Sequence, residues 1–355
     1  MTSYATWMSN PQVQALTFGA LKIPGTHDSA TYSLTQTLSQ VQYPEIAFLW
    51  KLNAGAAPAD GSLPWTGGSY YVGSAMYGFV LQVVQSVATS QDQTILQQLN
   101  GGIRYFDLRI YYDTSANDFF VQHGLRGCTL SEILQQVQQF ISQNPASQEL
   151  IILALSHANF SGLQGHTAAQ LTGQVSSLVQ RTLGAGVYVP PGLPAGGTFT
   201  FQALGTRTVA EVTNGKPAVM LLNLDEGYTY ASEVINTSGF KNSGRSVNGV
   251  DTVAALAAAE QGPLQQNAAG KLYQVNWTLT PQLSDVMTQI QNGVLGSGAT
   301  PVLQALALQA NDALTGFIQA NRSAAFNLVT VDWYETGTPN SVVDLCVALN
   351  TGGTL

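Results

Sequence analysis

The sequence predicts an α/β protein with a parallel sheet, arranged either as an open doubly wound sheet or as a barrel. Short apolar segments alternate with amphipathic helices along the chain, which is the pattern of parallel α/β folds. The apolar segments are hydrophobic throughout rather than at every second residue, as expected of strands covered on both faces. The predicted strands are Ala20–Pro24, Ile103–Tyr111, Phe119–Gln122, Glu149–Ser156, Ala218–Asn223, Lys271–Trp277 and Asn327–Trp333.

The clearest helix is predicted after the third strand, in the segment TLSEILQQVQQFISQNP. Its apolar residues recur every three or four positions, which places them on one helical face. Thr129 and Glu132 have the spacing of a capping box at its start, and Pro145 ends it. The segments QDQTILQQLNGG and PVLQALALQANDALTGFIQANR are predicted helices before the second and the last strand.

Two regions depart from this alternation. Residues 43–91 are rich in Gly and aromatic residues, and residues 185–216 are rich in Gly, Pro and Thr. Because strong elements resume on either side, we interpret both as insertions into one domain that comprises residues 1–355, with its core over roughly 15–335. We expect the aromatic insertion to form an internal packing layer, with a rim that touches a membrane as the alternative.

The charge of the chain excludes several classes of partner. Only 9% of the residues are charged and the net charge is −8. Such a chain is unsuited to binding nucleic acid or an anionic membrane through bulk electrostatics. An anionic substrate must therefore be held by a few well-placed cations, which gives weight to each arginine near a motif.

Cys128 and Cys346 are the two cysteines of the chain, and no Cys/His spacing matches a zinc site. We expect ordinary thiols, with a single disulfide as the alternative. The N-terminal segment MTSYATWMSNPQ has neither the basic nor the apolar part of a signal peptide, and no apolar segment is long enough to span a bilayer. We expect a soluble protein, and the sequence leaves both secretion and a cytoplasmic location open.

Ionisable side chains occur at the ends of four predicted strands. They are His27 and Asp28 (first strand), Asp107 and Arg109 (second), His123 (third) and Asp332 (last). Residues two apart in a strand point to one face, and inward-facing residues at the carboxyl ends of parallel strands converge on the mouth of a barrel. A single His–Asp or Asp–Arg pair is usually structural, but their coincidence at four strand ends predicts one shared site.

This set of residues fits the cleavage of a phosphodiester without a metal. A neutral imidazole can deprotonate the attacking hydroxyl while a second, protonated imidazole protonates the leaving oxygen, and ordinary pKa values near 6.5 allow both states. A carboxylate behind each ring fixes its tautomer. An arginine supplies permanently charged donors to the phosphate oxygens.

These motifs resemble the phosphatidylinositol-specific phospholipase C X-domain family, especially its single-domain, bacterial-type members. The matching stretches are WMSN, LKIPGTHDSATYSL, ILQQLNGGIRYFDLRI, FFVQHGL, ELIILALSHANF, YQVNWTLTP and NLVTVDWYE. They occur in the order of the family from residue 7 to about residue 335, and the first three catalytic blocks are the most specific. The resemblance implies a distorted, incompletely closed TIM-like barrel.

The resemblance also assigns roles to the candidate residues. It implies that His27 is the general base for the inositol 2-hydroxyl and that His123 is the general acid for the diacylglycerol oxygen. Asp332 would orient His27, and Asp28 would support His123. The implied reaction yields diacylglycerol and a cyclic inositol phosphate, with an inositol phospholipid at a membrane surface as the partner. No protein partner is predicted, and we expect a monomer that binds the membrane peripherally.

Arg109 separates the two branches of this family. Calcium-dependent members carry acidic residues at the positions of Asp107 and Arg109 and an Asn after the first His, whereas this chain has Asp28 there. A guanidinium repels calcium and supplies the positive charge itself. The resemblance therefore implies that Arg109 binds the phosphate and Asp107 belongs to the same network. We expect no metal and no other cofactor, with calcium as the alternative.

Three further residues are candidates for contacts with the head group. His157 follows ELIIL, where the family often carries a Lys or an acidic residue, so it is expected either in the pocket or at its rim. Asp225 and Glu226 lie in MLLNLDEGY, where an inositol-binding residue could occur, and Asp225 is the chosen candidate. His166 lies at a predicted helix start and is expected on the surface.

Two other functions remain open at this stage. One is a metal-dependent phosphodiesterase on a similar barrel that cleaves glycerophosphodiesters or sphingolipids, although Arg109 is unfavourable to its metal cluster. The other is a lipid-binding protein that has kept the site but not turnover. The sequence also leaves open whether the head group is plain inositol or a glycosylated anchor.

Overall fold

The computed structural model describes residues 4–39, 74–160, 165–191, 197–225, 227–231, 233–237, 241–243, 249–267, 271–282, 301–335 and 341–353. The strands are β1 (Ile23–Thr26), β2 (Tyr105–Asp113), β3 (Asp118–His123), β4 (Leu125–Thr129), β5 (Leu150–Asn159), β6 (Thr198–Phe199), β7 (Ala218–Asn223), β8 (Ile235–Thr237), β9 (Lys241–Ser243), β10 (Leu272–Trp277) and β11 (Leu328–Val331). The α-helices are α1 (Pro11–Gln14), α2 (Ser74–Ala88), α3 (Ile95–Asn100), α4 (Leu130–Gln143), α5 (Ala168–Leu183), α6 (Phe201–Gly205), α7 (Val209–Thr213), α8 (Val253–Gln265), α9 (Val302–Ala320) and α10 (Val342–Thr351).

The parallel strands follow one another around a barrel in chain order. The neighbours are β8, β7, β5, β2, β1, β11, β10 and β9, and each adjacent pair in this series is parallel. Across the described ranges no strand pairing joins β8 to β9, so the barrel is open on that side. The α/β class and the distorted TIM-like barrel predicted from the sequence are confirmed.

The sheet separates two apolar cores because successive strand residues point to opposite faces. The inner core contains Ile23, Tyr105, Ile152 and Leu328 and is closed at the amino ends of the strands by the N-terminal segment, including Trp7. The outer core lies between the sheet and the helices. Gly25 is required inside the barrel, since a Cβ there would lie 2.9 Å from the ring of Tyr105.

Several helices begin where a side chain accepts a hydrogen bond from one of the first amide groups. The predicted capping box is present at α4, where the Thr129 hydroxyl accepts from the Glu132 amide and the Glu132 carboxylate accepts from the Thr129 amide. The same arrangement starts α3 with Thr94 and Gln97. The apolar face of α4 is buried against the outer side of the sheet.

The third predicted strand differs from the expectation. Strand β3 is antiparallel to β2 and to β4, so the segment with His123 forms a hairpin outside the parallel series. The apolar character of this short segment does not distinguish these cases, because an antiparallel hairpin strand can carry the same residues. His123 therefore reaches the mouth from the returning arm of a hairpin rather than from a barrel strand.

The two predicted insertions contain regular structure. Helix α2 lies within 43–91, and residues 43–73 of that region are outside the described residues. The region 185–216 includes β6, α6 and α7.

Cys128 and Cys346 are both free thiols. Among the described helices, none combines the length and the apolar character that crossing a membrane requires.

Candidate active site

His27 and Asp332 form a pair at the carboxyl ends of the neighbouring strands β1 and β11. The Nδ1 atom of His27 lies 2.9 Å from Oδ1 of Asp332. The backbone amide of His27 donates to the carbonyl oxygen of Val331, which continues the pairing of the two strands. The side chain of Asp332 is 3% exposed and that of His27 is 20% exposed, so the ring is accessible while its carboxylate partner is buried.

Asp28 is brought to the same place by an unusual backbone conformation. Its φ angle is +44°, in the left-handed region that non-glycine residues rarely adopt. Consecutive residues of a regular strand would point to opposite faces, and the left-handed residue breaks that alternation. As a result the adjacent side chains of His27 and Asp28 approach each other, with 3.5 Å between Nε2 and Oδ2.

Asp107 and Arg109 project into the mouth from β2, as their spacing predicts. The Nε atom of Arg109 forms an ion pair with Oδ1 of Asp28 and lies 3.8 Å from Oδ2 of Asp107. Its Nη2 atom lies 2.8 Å from Nε2 of His27. Asp107 accepts a hydrogen bond from the hydroxyl of Ser156 on β5. Arg109 thus contacts the proposed base and the carboxylate beside it.

His123 lies on the other side of Asp28. Its Nδ1 atom is 3.4 Å from Oδ2 of Asp28 and 2.8 Å from the carbonyl oxygen of Ala88. The side chain of Asp28 is only 1% exposed, whereas the His123 side chain is 19% exposed. One buried carboxylate therefore contacts Arg109 and both histidines. The nearer acceptor for His123 is a backbone carbonyl, which the sequence did not predict.

The electrostatics of the two rings are not alike, which corrects the expectation of similar pKa values. Desolvation opposes the charge on His27, but Asp28 and Asp332 outweigh it and raise the pKa of His27 to about 9. Desolvation lowers the pKa of His123; Arg109 and His27 add to this effect, while Asp28 and the Ala88 carbonyl oppose it. In the free protein His27 therefore holds a proton more strongly than His123 does.

The contact between Arg109 and His27 describes the neutral form of the ring. A guanidinium only donates, so Nε2 of His27 must accept when Nη2 lies 2.8 Å away. In this tautomer Nδ1 of His27 donates to Asp332. Protonation of Nε2 requires the Arg109 head to turn towards another acceptor, such as Asp28 or an anion in the mouth. Charge on His27 and the position of Arg109 are therefore linked.

The structure gives the remaining candidates different positions. His157 is exposed at the end of β5 with φ +50°, and its Nδ1 atom lies 3.2 Å from the Ser156 hydroxyl. Partial desolvation and the nearby Arg109 lower the pKa of His157. Asp225 accepts from the backbone amides of His157 and Ala158 at 3.0 and 2.6 Å. Asp225 therefore supports the end of β5 that carries His157, and its role in substrate binding stays a prediction.

Two other sequence candidates lie away from the cluster or outside the description. His166 is half-buried rather than on the open surface, because its ring packs edge-on against Tyr112 with centroids 4.9 Å apart. Glu226 is outside the described residues. Ser156 is not among the candidate residues named from the sequence, although it lies two residues after the inward-facing Ala154 on β5 and so shares its face.

A metal ion does not fit this set of donors. His27, Asp28 and Asp107 each offer a ligand atom within 4.8 Å of the others. However, the Arg109 guanidinium contacts His27 and Asp28 and approaches Asp107. A divalent cation bound by these three residues would lie against a permanent positive charge.

The fold and site define a class: a partly open parallel α/β barrel whose mouth combines two histidines, one arginine and buried carboxylates. The family model described as phosphatidylinositol-specific phospholipase C, X domain, matches residues 67–192. The resemblance of this chain to that family, predicted from its motifs, is confirmed. The matched range includes Asp107, Arg109 and His123 but neither His27 nor Asp332.

Similar proteins agree with this result. PI-PLC X domain-containing protein 2 of Homo sapiens is 28% identical over 43% of this chain and 43% of that protein. PI-PLC X domain-containing protein 1 of Danio rerio is 30% identical over 45% of each. The matched part is less than half of these relatives' length. The phosphatidylinositol-specific phospholipase C of Listeria monocytogenes has a similar fold, with a TM-score of 0.59 at 16% identity over 98% of this chain and 99% of that one. The F249X mutant of the Staphylococcus aureus enzyme gives 0.56 at 15% identity over 98% of each.

Proposed function

We propose that this protein cleaves an inositol phospholipid, such as phosphatidylinositol or a glycosylated anchor, without a metal ion. The observation that carries the proposal is the position of Asp28, which contacts Arg109, His27 and His123 together. A phosphodiester held by Arg109 at this point lies between the two imidazoles. The names of the similar bacterial enzymes support phosphatidylinositol as the substrate class.

In the first step His27 removes the proton of the inositol 2-hydroxyl, and the resulting oxygen attacks phosphorus. The bond from phosphorus to the glycerol oxygen breaks, and His123 gives its proton to that oxygen. The products are diacylglycerol and a cyclic inositol phosphate. A water molecule then opens the cyclic ester slowly by the reverse use of the same two groups.

The carboxylates and the arginine prepare these proton transfers. Asp332 holds the tautomer of His27 whose Nε2 atom is the base, and it stabilises the imidazolium that forms. Arg109 turns from His27 to the phosphate oxygens, where negative charge develops. Asp28 retains the head of Arg109 and faces His123. His157 and Asp107 line the head-group side, with neutral His157 as a donor or acceptor for a ring hydroxyl.

Substrate binding also changes the pKa of the proposed acid, His123. In the free protein the order is unfavourable, because the base binds its proton more strongly than the acid. A phosphodiester brings negative charge next to His123 and draws the charge of Arg109 away from the ring. Both changes raise the pKa of His123, so it carries a proton in the complex.

The decisive assay uses purified protein and phosphatidylinositol in mixed micelles, with and without a chelator. We expect formation of diacylglycerol and a cyclic inositol phosphate at the same rate in both, because Arg109 supplies the positive charge. Activity that vanishes with the chelator and returns with calcium would favour the metal-dependent alternative. Micelle binding without any turnover would favour the lipid-binding alternative.

A further inference from the structure

The carboxyl end of helix α2 lies against the mouth of the barrel. The helix ends at Ala88, and the segment Ala88–Gln91 continues from it into the interior. Ala88, Ser90 and Gln91 are at most 1% exposed. The last carbonyl groups of a helix have no partner within it and carry the negative end of the helix dipole. Such a group next to a histidine is a natural acceptor for a ring N–H.

His123 uses this acceptor. The distance from its Nδ1 atom to the carbonyl oxygen of Ala88 is 2.8 Å, whereas Asp28 Oδ2 is 3.4 Å away. The other charged groups that affect His123 are Arg109 and His27. The Ala88 carbonyl is therefore the shortest contact of the ring among these groups, and it favours a proton on Nδ1. In that tautomer Nε2 exchanges the second proton.

The segment is also bound to the two strands that carry the other proposed catalytic groups. The Thr31 hydroxyl, just after the His27–Asp28 turn, accepts from the amides of Ser90 and Gln91 at 2.9 and 3.0 Å. The Gln91 side chain donates to the carbonyl oxygens of His27 at 3.2 Å and Val331 at 2.9 Å.

Trp333 adds two contacts from the residue after Asp332. Its amide donates to the Ser90 carbonyl at 2.7 Å, and its Nε1 atom donates to the Thr89 carbonyl at 2.9 Å. Trp333 has φ +45°, so this contact holds a strained residue at the end of β11. Four consecutive residues thus join the ends of β1, β3 and β11.

We propose that the segment Ala88–Gln91 positions the acid of the site: the Ala88 carbonyl oxygen accepts a hydrogen bond from Nδ1–H of His123, and Thr31 and Gln91 hold that carbonyl in place. The roles of acid and base in this statement rest on the proposed function. The hydrogen bond itself does not, so the two can fail separately. Ala88 and Gln91 are positioning residues, since neither has to touch the substrate.

The first test is nuclear magnetic resonance of the histidine rings in the full chain. The protein has four histidines, so each ring signal can be assigned by single substitution. We expect neutral His123 to be protonated on Nδ1 in the wild type. In Thr31→Val, which removes the acceptor of two buried amides, we expect a mixture of tautomers and a pKa of His123 lower by about 0.5–1. Thr31→Ser keeps the hydroxyl and should restore the wild-type values.

The second test compares two buried glutamines. Gln91→Ala removes donors to two backbone carbonyls beside the site, and Gln14→Ala removes donors to the carbonyls of Met8 and Gln148 at the opposite end of the barrel. We expect similar losses of stability, but only Gln91→Ala should change the His123 signals. It should also slow cleavage of phosphatidylinositol about 10-fold or more, with a smaller loss for a substrate with a good leaving group, which needs the acid least.

The outcomes separate the two proposals. The positioning role is overturned if the tautomer and the pKa of His123 stay unchanged in both Thr31→Val and Gln91→Ala when these variants fold. It is also overturned if Gln14→Ala changes the His123 signals as much as Gln91→Ala does. The same role is overturned if Thr31→Val does not fold and Gln91→Ala leaves His123 as in the wild type. A wild type that does not cleave phosphatidylinositol but whose His123 responds as expected contradicts the proposed function and supports the positioning role.

Discussion

Two arginines at opposite ends of the barrel are used in opposite ways. Arg104 immediately precedes β2 at the amino ends of the strands, and Arg109 lies on the same strand at the mouth. Both belong to the motif GGIRYFDLRI, and both contact carboxylates. Their surroundings nevertheless differ in exposure, in the kind of acceptor and in whether the partners can change their charge.

Arg104 is enclosed. Its side chain is 0% exposed and pairs with Glu149, with 2.7 Å between Nη2 and Oε2. The remaining donors reach the carbonyl oxygens of Leu99, Ile103 and Ala5. Backbone carbonyls do not titrate, so most of the Arg104 donors have fixed acceptors. Arg104 holds the N-terminal segment against the amino ends of the barrel strands.

Arg109 is bound to groups that can change. Its partners are His27, whose proton is exchangeable, and Asp28, which is shared with both histidines. The side chain is 13% exposed and borders the mouth. Arg104 therefore has its donors on fixed acceptors, whereas Arg109 is held by partners that it can exchange for a ligand, as the proposed function requires.

The largest expected effect concerns the histidines at the mouth. His27→Ala and His123→Ala should each lower the rate of the folded protein about 10²–10⁴-fold, and the double variant should lose much less than the product. A good leaving group should rescue His123→Ala far more than His27→Ala, because only the acid becomes dispensable. His166→Ala is the matched control and should retain full activity. Equal rescue of both variants would contradict the assigned roles.

Arg104→Met should act on stability alone. Removal of one partner of a buried ion pair leaves Glu149 charged and uncompensated, which costs roughly 3–5 kcal/mol in the free energy of unfolding. Urea unfolding measures this loss, and the activity per folded molecule should stay within about twofold of the wild type. A large fall in the kcat of Arg104→Met without a loss of stability would contradict the contrast between a structural Arg104 and a functional Arg109.

Arg109→Lys should give the converse result. Lysine keeps the charge but lacks the planar fork, so we expect a loss of about 2–4 kcal/mol of transition-state stabilisation in kcat/KM, with the fold retained. Arg104→Lys serves as the control, since its effect should appear in the unfolding curve. An Arg109→Lys enzyme within threefold of the wild type would make Arg109 a structural ion pair like Arg104.

The smallest expected effect is a dependence of stability on pH. Because the pKa of His27 is raised to about 9, its protonation stabilises the fold fully below pH 6.5, and this contribution disappears as the pH rises towards 9. The difference in unfolding free energy between the wild type and His27→Gln should therefore shrink across that range. The deficit of Gln14→Ala should remain constant, since neither side chain titrates. A constant difference for His27→Gln as well would contradict the raised pKa.

The local features were predictable because they depend on neighbours in the chain. The capping box of Thr129 and Glu132, the apolar face of α4 and the common face of Asp107 and Arg109 all follow from helix or strand periodicity. The core strands were found within a few residues at their ends, and β7 was found at its observed bounds. Short strands such as β6 and β8 carry too few residues for a periodic signal.

The sequence by itself determined which ionisable residues occur at strand ends, and therefore the two histidines, the arginine and the carboxylates of the site. The tertiary structure decided how they meet. The left-handed turn at Asp28, the hairpin that returns His123 and the use of Asp225 as a support for backbone amides all depend on distant parts of the chain. The acceptor of His123 is a backbone carbonyl, which every residue has, so no side-chain pattern marks it, and only the packing of helix α2 against the mouth selects Ala88.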